Sequence, residues 1–291
     1  MQSFTYLAPR TLSEALTLLG EHAGRVKPLA GGTDLMVELR DGDEKLANMD
    51  FALDLTNLPE LREISQSGGR VTIGAMATHN AVAHSPVVLL AAAMLAEASA
   101  SVGAQQIRNA ATIGGNVCNA AVAADTLSPL AALDARVTLL SVSGARELPI
   151  GEFIAAPGKT VLRSDELLTS ISFSALDGWR TAFVKLGRRK ALAISRMNAA
   201  ASLRFENGRI ADARISPGCV FPTPRRVPSA EELLLNQIPS LELFTRCGEV
   251  VSEAMVAVTG VRWSTEYKVP ALSAIVRRAL CRAAGLTEAD A

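Results

Sequence analysis

The sequence predicts an α+β chain in two domains, the first over residues 1–176 and a smaller one over residues 177–291. Three observations predict it. Short strand-like runs alternate with short helical patterns up to Phe173. The stretch from Ser174 to Gly178 then breaks that pattern. Beyond it come the hairpin signal Asn207-Gly208 and two long helical patterns, near residues 241–258 and 265–284, as expected of a small antiparallel sheet packed on helices.

In chain order, Thr11-Leu12-Ser13-Glu14 reads as a capping box, with Leu12, Ala15, Leu16 and Leu19 at helical spacing and Gly24 as the stop. The apolar piece Pro28-Leu29-Ala30 runs into Gly31-Gly32-Thr33-Asp34-Leu35. Residues 51–55 and 71–74 read as strands, the second following the turn-forming Ser67-Gly68-Gly69. Thr78 caps a short helix carrying His79 and His84, and Ser85-Pro86 starts one continuous helix running to about Ser101. Residues 105–125, QQIRNAATIGGNVCNAAVAAD, read as a polar, glycine-broken loop. A helix over 126–134 and strands near 137–142, 147–150 and 168–173 complete the first domain. In the second, strands at 199–205 and 210–216 form the hairpin, Phe221-Pro222-Thr223-Pro224 is an extended connector, and Gly285 stops the last helix.

Composition narrows the function classes. Lys+Arg and Asp+Glu number 29 each, so the basic footprint of a nucleic-acid binder is missing. The longest apolar run, residues 87–96, falls far short of the roughly 20 residues of a membrane span, and no basic stretch leads into an apolar core at the N-terminus. The cytoplasm is the expected compartment. Cys118, Cys219, Cys247 and Cys281 stand far apart with no C-x-x-C, so free thiols are expected rather than a structural zinc or a self-contained iron–sulfur cluster. There is no G-x-G-x-x-G, P-loop, H-E-x-x-H or G-x-S-x-G, and His22, His79 and His84 read as surface or capping residues.

The two glycine pairs, Gly31-Gly32 and Gly114-Gly115, stand out against this absence of side-chain catalysts. Without a Cβ, backbone amides approach a ligand closely and form anion-binding concavities. Each pair is otherwise a tight turn. A chain without acid–base or nucleophilic groups borrows its reactivity from a cofactor, and two amide-rich loops suit a diphosphate clamped from two sides.

The order of motifs carries a resemblance. Leu29-Ala30-Gly31-Gly32-Thr33-Asp34-Leu35, Gln106-Ile107-Arg108-Asn109, Thr112-Ile113-Gly114-Gly115-Asn116 and Ala124-Asp125 are followed by Pro157-Gly158-Lys159 and Glu166-Leu167-Leu168. Phe183-Val184-Lys185-Leu186-Gly187-Arg188-Arg189 and Ser264-Thr265-Glu266-Tyr267-Lys268 complete the series. Over nearly its whole length the chain resembles the FAD-binding medium subunit of the xanthine dehydrogenase and CO dehydrogenase class of molybdenum hydroxylases, most like those of bacterial xanthine dehydrogenases. The resemblance implies a two-subdomain FAD-binding fold of the vanillyl-alcohol oxidase (PCMH) type, then a CO dehydrogenase flavoprotein-like C-terminal domain. It also implies two partners, a large molybdopterin-binding subunit that oxidises the substrate and a small [2Fe-2S] subunit that relays electrons to FAD, which passes them to NAD or another acceptor.

Carried over by position, the resemblance implies that Pro28, Leu29, Ala30, Gly31, Gly32, Thr33, Asp34 and Leu35 form one side of the FAD site. Ala111, Thr112, Gly114, Gly115 and Asn116 form the other. Asn119 stands where some members have threonine, so that contact is either kept by an amide or lost. Asp125 either accepts from ribityl hydroxyls or caps the helix after it. Leu168 and Lys185 match positions facing the flavin, with a solvated lysine as the ordinary alternative for the latter, and Val102 and Ile107 either line the adenine end or belong to the core. Arg188-Arg189-Lys190 either attracts an anionic acceptor or is a solvated cluster. The rival reading is a self-sufficient flavin oxidoreductase of the vanillyl-alcohol oxidase group, which requires its own base over the flavin, and no such base is evident near the loops.

Overall fold

A computed structural model describes residues 3–189 and 191–286. The chain opens with β1 (Thr5–Leu7), α1 (Leu12–Glu21), β2 (Val26–Leu29), α2 (Leu35–Asp41) and β3 (Phe51–Asp54). The forward half of the capping box forms, Thr11 accepting from the Glu14 amide at 3.1 Å, whereas the Glu14 carboxylate reaches one residue past the cap and accepts from the Arg10 amide at 2.8 Å. The three strands make a parallel sheet in the order β1-β3-β2, with Ala15, Leu16, Leu19 and Leu53 in the core. Gly31-Gly32 therefore sits at the carboxyl end of a parallel strand, where open sheets of this kind bind ligands.

The middle of the chain contains β4 (Ile64–Ser67), β5 (Arg70–Gly74), α3 (His79–His84), α4 (Pro86–Ala91), α5 (Ala93–Ala100), α6 (Gln105–Ala110), α7 (Ile113–Asn119) and α8 (Leu127–Ala132). It continues through β6 (Arg136–Ser141), β7 (Gly144–Pro149), α9 (Ile150–Phe153), β8 (Ile154–Ala156), β9 (Lys159–Thr160) and β10 (Leu167–Ser174). Its main sheet is antiparallel, β4-β5-β10-β6-β7, and α5 and α7 pack into the same core through Met94, Leu95, Ile113 and Val117.

Two expectations fail here for identifiable reasons. The helix expected from Pro86 to Ser101 is broken at Ala92 (φ −161°, ψ 61°), because tertiary partners claim the freed backbone groups. The Ala91 carbonyl accepts from Leu176, and the Met94 amide donates to the Thr181 hydroxyl. Residues 105–125 are also mostly helical, since α6 and α7 flank a two-residue extended step at Ala111-Thr112. Thr112 caps α7 by accepting from the Gly115 amide.

The last part is β11 (Trp179–Gly187), β12 (Ser195–Glu206), β13 (Arg209–Gly218), α10 (Pro228–Glu232), α11 (Leu241–Thr259) and α12 (Thr265–Ala284). Asn207 (φ 51°) and Gly208 (φ 75°) make the primed turn of the β12–β13 hairpin. The sheet has a third strand beyond the expected hairpin, since β11 pairs along β12. The two long helices pack on the sheet and on each other, and a Cβ on Gly248 of α11 would stand 2.4 Å from the Ser273 carbonyl of α12.

Glu166, just before β10, ties the β6–β7 hairpin to the preceding loop. Its nearly buried carboxylate takes two bonds from Arg146, at 2.6 and 2.7 Å, and one from the Arg163 amide at 2.9 Å. The Arg146 guanidinium holds the Glu166 carboxyl below its ordinary range. The stabilisation is thus present above the unfolded-state pKa and lost as pH falls through the lower folded-state value. Glu166→Gln is expected to lower unfolding free energy by about 1–3 kcal/mol at pH 7, a gap that closes as acid protonates the wild-type carboxylate; urea unfolding at a series of pH values checks it.

Candidate cofactor site

The segment leaving β2 supplies the site's least ordinary feature. Among the described residues, none of the five amides from Gly31 to Leu35 reaches an acceptor, although the Gly32 carbonyl accepts from Met36. Gly32 adopts φ +69°, a conformation that favours glycine. Gly31 is required for a different reason: a Cβ there would stand 2.0 Å from the Ala110 carbonyl oxygen and 2.8 Å from Ala111 Cα. The first glycine loop is thereby pressed, backbone on backbone, against the step between α6 and α7.

The residues that carry these amides line a cleft of about 490 Å³, together with Pro28, Ala30, Val102, Ile107, Ala111, Thr112, Gly115, Asn116 and Asn119 among others. A second cleft of about 300 Å³ is lined by Val102, Asn116, Asp125, Leu192 and Ile194 among others. Val102 and Asn116 line both, so the two are neighbouring chambers of one groove. Arg108 braces their junction by donating to the Val102 and Gly103 carbonyls, at 3.0 Å each. Asn116 is oriented by Thr126, whose hydroxyl donates to its Oδ1 at 2.5 Å. A larger groove of about 810 Å³ runs between α11 and α12, but its walls are helix side chains such as Val256, Val269 and Ala274.

The second glycine pair does not add open amides. The Gly114 amide donates to the Ala75 carbonyl and that of Gly115 to the Thr112 hydroxyl, so both are consumed within the fold. Gly114 is instead a packing glycine, with its would-be Cβ 2.6 Å from the Ala75 side chain. Gly115 lines the cleft and keeps it open. Asn119 donates to Asp34 Oδ1 at 3.0 Å and so ties the end of α7 to the first loop, and Asp34 in turn makes no cap bond to α2.

Asp125 does not cap α8, whose N-cap is Thr126 with no side-chain bond. Its carboxylate receives Lys185 Nζ at 2.5 Å and the Ser195 hydroxyl at 2.5 Å, while Lys185 also donates to the Ser101 carbonyl at 2.9 Å. Lys185 is 15% exposed and Asp125 7%, which excludes the solvated-surface alternative for the lysine. Burial pushes the Asp125 carboxyl up, against the opposing pull of Lys185 and Ser195. The chain thus uses one buried pair to fasten β11 and β12 to the stretch before α8.

The remaining candidates divide. Leu29 is half-buried at the end of β2 and Leu168 lies in the core at 3% exposure, and neither lines either chamber. Val102 and Ile107 line the cleft rather than the core, Ile107 at 40% exposure. Cys118 also lines it, with burial pushing its thiol up to about 12, so it stays protonated at neutral pH. Arg188 and Arg189 are exposed, Arg189 donating to the Leu192 carbonyl; Lys190 lies outside the described residues.

Sequence reasoning missed two residues. Ser195 carries no local signal, because its partner Asp125 is 70 positions away. His79, read as a surface or capping residue, is 1% exposed and lines the first chamber. Burial and the nearby Arg108 push its imidazole down to about 4, so the ring is neutral at neutral pH. His84 matches the expectation, exposed and bonded to the Asn80 carbonyl, whereas the His22 ring stacks on Phe51 at 3.9 Å.

A groove with five open amides at one end and a polar cluster at the other fits an extended anionic cofactor. Two family profiles match the chain: the FAD binding domain in molybdopterin dehydrogenase over residues 2–174, and the CO dehydrogenase flavoprotein C-terminal domain over residues 182–283. The chain belongs to the FAD-binding medium-subunit family of xanthine and CO dehydrogenases. It is 31% identical to the nicotinate dehydrogenase FAD-subunit of Eubacterium barkeri over 285 residues, covering 96% of this chain and 95% of that protein. It is 30% identical to the xanthine dehydrogenase FAD-binding subunit of Escherichia coli O157:H7 over 282 residues, with the same coverages. Among solved structures, it matches the carbon monoxide dehydrogenase of Hydrogenophaga pseudoflava with a TM-score of 0.88 and 29% identity over 97% of both chains. This medium subunit is therefore an oxidoreductase component with FAD as its cofactor, and none of its described helices is long and apolar enough to cross a membrane.

Removing Lys185 leaves the Asp125 carboxylate buried without its cation. Lys185→Met is expected to cost about 3 kcal/mol at pH 7, and adding Asp125→Asn is expected to recover most of that loss; chemical unfolding of the single and double variants checks both.

Proposed function

We propose that this chain is the flavin station of a molybdenum hydroxylase complex, receiving electrons from the [2Fe-2S] clusters of a small partner subunit and delivering them to NAD or another soluble acceptor. In this reading a large molybdopterin subunit oxidises the substrate in the cytoplasm, and residues 1–176 and 177–291 are the two domains of the flavin subunit. The observation that carries the proposal is the two-chamber groove, which has an anion-accepting end and a buried lysine–carboxylate end, together with the family match over nearly the whole chain.

FAD supplies the two-electron carrier chemistry when bound. The open Gly31 to Leu35 amides are the proposed receivers of the diphosphate, where the peptide dipoles meet the charge without a buried cation. Thr33, Thr112 and Asn116 add polar side chains along the same wall, and Ala111 and Gly115 keep it shallow. Asp125 and Lys185 fix the far chamber, where the lysine places positive charge beside the ring end of the groove. Leu192 and Ile194, 55% and 80% exposed, form the outer lip of that chamber. Leu168 and Leu29 are assigned to supporting these walls from behind.

Mild denaturation of the purified protein is expected to release FAD, and its flavin spectrum is expected to bleach on reduction. Release of no FAD sinks the proposal. Gly115 offers a separate test, because a Cβ there meets only the Thr112 hydroxyl at 3.0 Å and a longer side chain has the cleft to enter. Gly115→Leu is expected to cut FAD content at least tenfold while far-UV circular dichroism stays that of the FAD-free wild type.

A further inference from the structure

We infer that His79 is a further ligand of the cofactor, its imidazole donating a hydrogen bond to the diphosphate that the Gly31–Thr33 amides receive. The inference rests on the FAD reading above and assigns a role that no glycine-loop motif predicts.

The position of the ring is fixed from three directions. His79 is the first residue of α3, and its own amide donates to the Ala111 carbonyl at 3.0 Å. Thr78 caps α3 and pairs across to Thr112 in an isolated bridge, while the Ile113 amide donates to the Ala77 carbonyl. The start of α3 is thereby locked to residues 111–113. The other side of that same step is where Gly31 presses on Ala110 and Ala111. His79, Thr112 and the open amides converge on one chamber.

Within that chamber His79 is 1% exposed, and its Nδ1 is buried with no hydrogen-bond partner among the described residues. Buried polar groups are nearly always paired, and an orphan costs free energy that an apolar residue of similar size avoids. A histidine serving only as core filler gives no reason for bearing that cost beside a run of five open donors. Nδ1 is closed off from solvent, and a phosphate oxygen supplies the missing acceptor once the ring turns about χ2 to present that nitrogen to the chamber. A neutral imidazole has one N–H to give, and it adds no buried charge when the cofactor is absent. Positive charge is available at the rim instead, from Lys27 and Lys45, both exposed and both lining the same chamber.

The experiment compares wild type, His79→Leu and His79→Gln as full-length chains stripped of flavin. FAD affinity is read from flavin fluorescence, ADP affinity from competition, and riboflavin affinity directly, since riboflavin lacks the diphosphate. For His79→Leu, FAD and ADP are expected to bind about tenfold to hundredfold more weakly, the range for a hydrogen bond to a charged group, with riboflavin unchanged. His79→Gln, which keeps a donor, is expected to lose less. The unfolding midpoint of flavin-free His79→Leu is expected to equal or exceed that of wild type. ADP and FAD affinities within twofold of wild type overturn the inference, as does an equal loss for riboflavin. If His79→Leu fails to fold, His79→Phe, which also lacks a donor, takes its place, and ADP affinity within twofold of wild type for that variant overturns the inference. A wild-type chain that takes up neither FAD nor ADP sinks the FAD reading itself, whereas wild-type binding with an indifferent His79 sinks only this assignment.

Discussion

Two backbones touch in this protein where no side chain fits, and the groove depends on that contact. Gly31 lies against Ala110 and Ala111, and Gly114 lies against Ala75. The first joins the carboxyl end of a parallel strand to the step between α6 and α7; the second seats α7 on the segment leaving β5. Together they seat the loop after β2 on the α6–α7 step, and its five amides find no acceptor among the described residues. Glycine thus does two separate jobs here. In the first loop it allows contact and exposes donors, and in the second it allows contact while its donors are spent within the fold.

The far chamber is organised by charge. Asp125 lies before α8, Lys185 on β11 and Ser195 at the start of β12, so one buried cluster spans the two halves of the chain. Neighbouring bonds reinforce it, with Ser128 donating to Asn198 at 2.5 Å and Arg282 donating to the Phe183 carbonyl at 2.7 Å. Taking a carboxylate and an ammonium out of water is costly unless the remaining lone pairs and protons are satisfied. Here Ser195 and the Ser101 carbonyl satisfy them. The arrangement makes a cluster intolerant of losing one member, and it ties β11 and β12 to the groove whose far chamber Leu192 and Ile194 line.

Legibility from sequence followed the range of the interactions involved. The span of α12 was readable from its periodicity and from Gly285, and the β12–β13 turn from Asn207-Gly208, because caps and primed turns are set by neighbours a few residues apart. The break at Ala92 was not readable. Residues 86–101 are a sound helix locally, and the interruption exists because Leu176 and Thr181, more than 80 positions away, take the carbonyl of Ala91 and the amide of Met94. The polar appearance of residues 105–125 misled in the opposite direction, since Thr112 supplies a cap and both glycines lie within a short helix, Gly114 packed on Ala75 and Gly115 on the cleft.

The sequence by itself determined the family, the first glycine loop and most of the residues that line the first chamber, since motif order and spacing survive without coordinates. Tertiary structure decided which glycines leave amides free, that Asp125 pairs with Lys185 instead of capping α8, and that His79 is buried in the cleft wall with an unpaired nitrogen. The physical reason is the same in each case. Whether a polar group is satisfied depends on acceptors and donors brought in from distant parts of the chain, and no local pattern records which of them arrive.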